Sequence, residues 1–199
     1  MQNIKLPEPN RKGGLTIQET FNNRRGYRGG IGNRKLTEQQ LSDLLWAANG
    51  VNRMDGKRTA PSAKDLRDIS VYAVTDKAAY LYNTEEHELT FLTEGDYRKA
   101  AGGGQDFVEI VPVVLIIVSD YSLFDNIVTS GNYSNIMPVW PAVDAGIVSQ
   151  NISMFCAGNG LATITRITMD QNTLRDVLKL KDSQHMLVNN AVGYPEAGE

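Results

Sequence analysis

The sequence predicts an α+β domain, on three observations. Two short β-type segments, 79–83 and 88–92, are joined by a polar turn through Thr84 and His87, as in an antiparallel hairpin. Residues 111–118 form the longest apolar run, which has strand length and no polar face, as a central strand covered on both sides requires. Residues 141–158 read as a long helix that is also without a polar face and should be buried on all sides. No internal repeat is visible. Helices mixed with strands of both connection types fit α+β and not a doubly wound sheet.

Each element has its own local reason. Residues 1–14 are polar and carry Pro7, Pro9 and Gly13-Gly14, the composition of an extended arm, so a single domain is expected over 15–199. Helical character over 15–23 ends at a basic run. Thr37 is placed to cap a second helix, with Gln40 reaching back and Leu36 stapled against Leu41. Leu41, Leu44, Leu45 and Ala48 then mark its buried face, and Gly50 stops it. Residues 69–75 read as a strand. Along 141–158, Ala145, Ser149 and Ser153 make a small-residue stripe that permits close approach of another helix, and Val148, Ile152 and Phe155 make a large one. Asp170 caps a shorter amphipathic helix to residue 178, and 191–194 reads as a last strand.

Charge is distributed unevenly. The net charge of −3 conceals 13 Lys and Arg against 6 Asp and Glu in the first 67 residues, and 7 against 17 in the remainder. Within the basic part, Arg24-Arg25-Gly26-Tyr27-Arg28 concentrates guanidinium groups, whose planar forks suit phosphate oxygens. An anionic partner of this region follows.

Other chemistries are poorly served. The single cysteine, Cys156, excludes an intramolecular disulfide and lies in an apolar stretch where packing filler is the better reading. His87 and His185 have no paired-ligand spacing for zinc. Ser62 has no histidine near it in sequence, so hydrolase chemistry is disfavoured. No run of about 18 apolar residues exists to span a membrane. Gly158-Asn159-Gly160 ends a helix where a dinucleotide-binding turn would open one, and Gly102-Gly103-Gly104 reads as a connector.

The order of several segments resembles the nitroreductase family of FMN-dependent enzymes over about residues 15–196. The segments are Arg24-Arg25-Gly26-Tyr27-Arg28, Leu44-Leu45-Trp46-Ala47-Ala48-Asn49-Gly50, Arg58-Thr59-Ala60-Pro61-Ser62-Ala63, Asp144-Ala145-Gly146, Ser149-Gln150-Asn151, Gly160-Leu161-Ala162-Thr163 and Val192-Gly193-Tyr194-Pro195. Within the family the chain is most similar to the branch that includes thiazoline and oxazoline oxidases. The resemblance implies a central mixed sheet flanked by helices, an intertwined homodimer, and a flavin between the two subunits.

It also implies a set of cofactor-binding residues. Arg24, Arg25 and Arg28 would reach the FMN phosphate and pyrimidine edge, with Gly26 where a serine is usual. Pro61, Ser62 and Ala63 would pack on the ring system from the partner subunit. Asp65 stands where the family often has an asparagine, and an ionised carboxylate accepts but cannot donate. Ala162, Thr163, Ile164 and Arg166 match the segment passing the reacting nitrogen, where a positive charge at Arg166 would favour the reduced, anionic flavin. The alternative for Arg166 is pairing with a local carboxylate. The family's C-terminal basic pair is missing from Pro195-Glu196-Ala197-Gly198-Glu199.

The implied activity is ping-pong hydride transfer from NAD(P)H through flavin N5 to a nitroaromatic, a quinone or a similar small acceptor, with no protein nucleophile. Acceptor choice would fall to residues 121–139, rich in Asn, Ser and aromatics, or that stretch is a plain surface loop. The rival readings are a flavin-binding carrier or sensor without turnover, an azoline-type dehydrogenase and, less well supported, a polyanion binder; nucleic acid is not the expected partner, because few aromatics interleave with the basic residues. The compartment reading is cytoplasmic, or exported if a leader has been removed.

Overall fold

The computed structural model describes residues 1–125 and 139–196. Its sheet runs β1-β5-β4-β3-β6-β8-β2, with β7 also paired to β8. The strands are β1 (Ile4–Lys5), β2 (Ile31–Gly32), β3 (Ile69–Thr75), β4 (Ala78–Asn83), β5 (Glu88–Glu94), β6 (Val113–Asp120), β7 (Ala162–Arg166) and β8 (Gln184–Pro195). Every pairing among them is antiparallel, which corrects the expected mixed sheet. The helices α1 (Ile17–Asn23), α2 (Glu38–Asn49), α3 (Arg98–Gly102), α4 (Val139–Gly158) and α5 (Gln171–Val177) cover the two faces.

Strand alternation builds two cores from one sheet. Along β6, Val113, Leu115 and Ile117 enter the core under α2 and α4, and Val114, Ile116 and Val118 enter the core on the opposite face with Leu174 and Val177 of α5. Side chains alternate across a strand, so an unbroken apolar run serves two layers at once. The capping reading of α2 holds in detail: Gln40 N–H donates to Thr37 Oγ1 at 3.1 Å, and Thr37 N–H donates to Gln40 Oε1 at 3.0 Å. Leu44, Leu45 and Ala48 are fully buried. A second capping box, Thr16 with Glu19, opens α1, and Asp170 caps α5.

Two expectations change. The N-terminal arm is extended but docked: Ile4–Lys5 adds an edge strand to β5, and Leu6 is buried. Pro7 C=O accepts from Ser42 Oγ at 2.5 Å and lies 3.1 Å from His87 Nε2, whose Nδ1 is 2.8 Å from Tyr82 Oη. The α4 helix is covered on one side only. Its small stripe, Ala145, Ser149 and Ser153, is buried, whereas Ala142, Val143, Gly146 and Gln150 are exposed. The small stripe therefore meets β7 and β8 inside the chain, where Ser149 Oγ donates to Asn190 Oδ1 at 2.9 Å and lies 2.7 Å from Thr165 Oγ1. An open apolar outer face on so hydrophobic a helix calls for a further covering element.

Candidate active site

The basic run leaves the C-terminus of α1 and crosses in front of β7. Tyr27 N–H donates to Thr163 C=O at 3.1 Å, which fixes the run against the edge of β7 that β8 does not use. In an antiparallel strand the N–H and C=O of one residue point to the same side, so Thr163 and Thr165 turn their N–H groups to that same free edge. Arg24, Arg25 and Arg28 are exposed, and none of them forms an ion pair among the described residues. Arg25 is ordered by stacking on Tyr27, with its guanidinium 5.3 Å from the ring centroid and Nε donating to Tyr27 Oη at 3.2 Å. A Cβ on Gly26 would meet only Ile164, at 4.0 Å, so space above β7 is open.

Two clefts flank the run. Arg25 and Tyr27 line one with Asn23, Ser153, Cys156 and Thr163. Arg28 lines the other with Phe107, Ile164, Thr165 and Arg166. Ala162 and Thr163 are buried, and the Thr163 hydroxyl is committed to Ala191 C=O, so these two can offer a ligand only backbone. Cys156 is buried and its thiol pKa is pushed up by burial, as packing filler requires.

Arg166 belongs to the scaffold. All five of its N–H donors are used: Nε to Gln105 Oε1, Nη1 to Ala101 C=O and Asn189 Oδ1, and Nη2 to Gly102 C=O and Thr168 C=O, at 2.5–3.2 Å. The carboxylate pairing is not found, because none of the five partners is a carboxylate, and all five donors are committed inside the chain. Burial pulls its pKa below the ordinary value. Its charge stands in the lining of the Arg28 cleft, with no counter-ion among the described residues.

The Pro61–Ala63 turn lies elsewhere. Pro61, Ser62 and Asp65 line a narrow cleft with Arg58, Arg67 and Val148. Ala63 N–H donates to Asp144 Oδ2 of α4 at 2.8 Å, and Ser62 Oγ accepts from Arg67 N–H at 2.8 Å. Lys64, Asp65 and Arg67 all have φ near +55°, a left-handed run of non-glycine residues that only a firmly held segment retains. Asp65 is exposed and reaches Arg67 at 3.4 Å, a surface pair of little strength that leaves its carboxylate available. Asp144 and Ser153, the α4 residues that mark the two halves, are nine positions apart, about 14 Å at 1.5 Å per residue. Within one chain the arginine run and the Pro61–Ala63 turn therefore line separate clefts that share no lining residue.

Of residues 121–139, positions 126–138 lie outside the described residues. Tyr121 packs on His185 with centroids 4.2 Å apart, and Phe124 is buried against Trp140. Tyr27, Phe107 and Asp144 are additions to the sequence-predicted set. Tyr27 sits within the arginine run and Asp144 within a segment that carries the family resemblance, so both lay beside marked residues, whereas nothing local flags Phe107.

The nitroreductase family model matches residues 22–194, and the chain belongs to this family. It is 29% identical to a protein of Ralstonia eutropha JMP134 whose crystal structure is described as that of a "putative nitroreductase", with a TM-score of 0.88 over 99% of this chain and 91% of the other. A curated relative from Methanocaldococcus jannaschii, bearing the same description, is 26% identical over 77% of this chain and 79% of its own length. Nitroreductase CinD of Lactococcus lactis, solved with 4-nitrophenol, shares the fold at 17% identity and a TM-score of 0.67 over 92% and 93% of the two chains. The chain is thus an oxidoreductase by family. No helix among the described residues is long and apolar enough to cross a membrane.

Proposed function

We propose that the chain is an FMN-dependent oxidoreductase that takes hydride from NAD(P)H and delivers it to a nitroaromatic, a quinone or a similar small acceptor, working as a homodimer. The observation that carries this reading is the set of three exposed arginines that form no ion pair among the described residues, held beside the edge of β7 that β8 does not use. Unpaired guanidiniums on one short run are unfavourable to gather unless an anion joins them, and a phosphate accepts several such donors at once. The residues fit the group: Arg24, Arg25 and Arg28 would hold the phosphate, Gly26 leaves room, and the free N–H groups of Thr163 and Thr165 would orient the ring edge. When bound, the flavin supplies the acceptance and release of hydride that no side chain can perform.

The chain's own part is binding, orientation and electrostatics. Arg166, buried without a counter-ion among the described residues, places a fixed positive charge in the wall of the Arg28 cleft that favours negative charge nearby. Phe107 and Ile164 offer apolar surface beside Arg28, suited to a flat aromatic acceptor. Donor and acceptor would use the same face in turn, which gives ping-pong kinetics. The Pro61–Ala63 turn would complete the site from the partner subunit, across the open face of α4.

An anaerobic visible spectrum tests the reading. Flavin bands near one per chain, bleached by NADH or NADPH and restored by a quinone or nitroaromatic, are expected. Bands that no nucleotide bleaches would make the protein a carrier, and no affinity for FMN would remove the proposal.

A further inference from the structure

Behind the Pro61–Ala63 turn lies a polar arrangement with no counterpart in the arginine half. Asp68 is 2% exposed and Asp144 is 3% exposed, and the Asp144 side chain is among the groups that act on the Asp68 carboxyl, by its charge and by hydrogen bonding. Asp68 Oδ2 accepts from Ser119 Oγ on β6, and its backbone carbonyl accepts from Asp120 N–H. Asp144 Oδ2 accepts from Ala63 N–H at 2.8 Å. One atom is left over: Asp68 Oδ1 is buried with no hydrogen-bond partner among the described residues.

Two facing carboxylates in so dry a place cannot both be ionised, and an orphaned buried oxygen costs the desolvation of a polar group. A single proton resolves both difficulties. Carried on Asp68, it turns the orphan acceptor into a donor that the Asp144 carboxyl can accept, and a carboxyl so held stays on the Ala63 N–H. We propose that Asp68 is a positioning residue for the Pro61–Ala63 turn: it holds a proton against Asp144 and so keeps Asp144 locked on the Ala63 N–H.

The surroundings favour that proton. Burial is the largest influence, and the Asp144 charge adds to it; together they lift the Asp68 pKa from 3.8 to about 7 against the opposing Ser119 hydrogen bond. The cation nearest in effect is Arg58, whose Nη1 is committed to Ile69 C=O and whose own pKa is lowered by burial and by Arg67. Tyr121, following β6, lies in the field of Asp68 and packs on His185 of β8, which pairs with Ser119 across the two strands. None of these is an ion-pair partner for Asp68 among the described residues.

The sign of the pH effect follows from linkage. A carboxyl whose folded pKa is raised contributes stability that is whole below about pH 4 and is lost as the pH rises through about 7. Above that, two charges face each other and Asp144 is pushed from the turn. The effect on flavin rests on the function proposed above, but the proton itself does not.

The test compares wild type, Asp68→Asn and Asp144→Asn by thermal unfolding between about pH 4 and about pH 9, with FMN titrations at both ends of the neutral range. The asparagine of Asp68→Asn imitates the protonated acid, since its amide can donate to Asp144 and its oxygen can accept from Ser119. The expected result is that Asp68→Asn melts roughly 2–4 °C or more above wild type at pH 8, with the gap closing toward pH 4. Wild-type affinity for FMN should fall at least threefold between pH 6 and pH 9, and Asp68→Asn should abolish that fall. Asp144→Asn, which removes the repelling charge, should move the wild-type pH response to lower pH.

Parallel melting curves for wild type and Asp68→Asn would overturn the proposal, as would an Asp68→Asn deficit at every pH, which would indicate an ionised pair holding a cation. If Asp68→Asn fails to fold, the infrared carboxyl band of the wild type decides. A protonated-acid band at pH 6 that disappears by pH 9 supports the proton, and its absence excludes it. Failure of FMN to bind at any pH would sink the functional reading and leave the melting curves to judge the pair.

Discussion

The arginine run and the Pro61–Ala63 turn are both polar and both expected at the cofactor, yet they treat their polar groups in opposite ways. In the run, the side chains of Arg24 and Arg28 are exposed without an ion pair, and Arg25 is restrained only by Tyr27. In the turn, Ser62, Ala63 and Arg67 commit their groups to one another and to Asp144, and three residues are held at positive φ. A region that keeps its donors free is built to receive a ligand. One that commits them is built to hold a shape. Arg166, in sequence a candidate for the first kind, belongs to the second.

This contrast can be broken at either end. The largest effect is expected at Arg166→Ala, which takes the donor from Asn189 Oδ1, Gln105 Oε1 and Ala101 C=O in a buried place, while Gly102 and Thr168 C=O keep Gln105 N–H and Asn189 Nδ2, and should cost about 3–4 kcal/mol. A thermal scan would show this as a fall of roughly 6–16 °C in Tm for a chain of this size. Arg28→Ala should do the reverse. Stability should stay within about 0.5 kcal/mol of wild type, while FMN binding weakens by about 1.5–3 kcal/mol, the scale of a charge-assisted hydrogen bond to phosphate. Fluorescence titration of FMN reads the second quantity and chemical denaturation the first.

Asp144→Ala should cost about 1–3 kcal/mol of stability, because the Ala63 N–H loses its acceptor, and should loosen the turn without touching the arginine run. Proteolysis within residues 61–67 would report that loosening. Asp65→Asn closes the series. It breaks an exposed ion pair worth little, so stability should stay within about 0.5 kcal/mol, and any change in flavin affinity would then mark a direct contact.

What the sequence revealed follows the same division. The α2 capping box, the bounds of β3 and the two-faced burial of β6 were legible because each depends on residues adjacent in the chain. The first half of β8 was not, although it is central. Gln184, His185, Asn189 and Asn190 make it read as a loop, and only the structure shows Asn189 and Asn190 fully buried and bonded to Arg166, Thr168, Ser149 and Thr165. Short edge strands such as β1 and β2, of two residues each, carry no periodicity to detect.

The arginines of the site were visible as a run. The Asp68–Asp144 pair was not, since its members are 76 positions apart and each is unremarkable alone. The stripe on α4 was seen correctly as small and misread in purpose: Ser149 turns inward to order β7 and β8, and the outer face of Val143 and Gly146 is the one left open.

The central claim of the proposed function is a flavin site that uses both halves, one from each of two chains. Sedimentation of the protein with FMN, followed at the flavin absorbance, tests it directly. The account predicts that flavin travels with a species of twice the 21.9 kDa chain mass, and that dilution to monomer releases it. Flavin carried at full affinity by a 21.9 kDa monomer would contradict it.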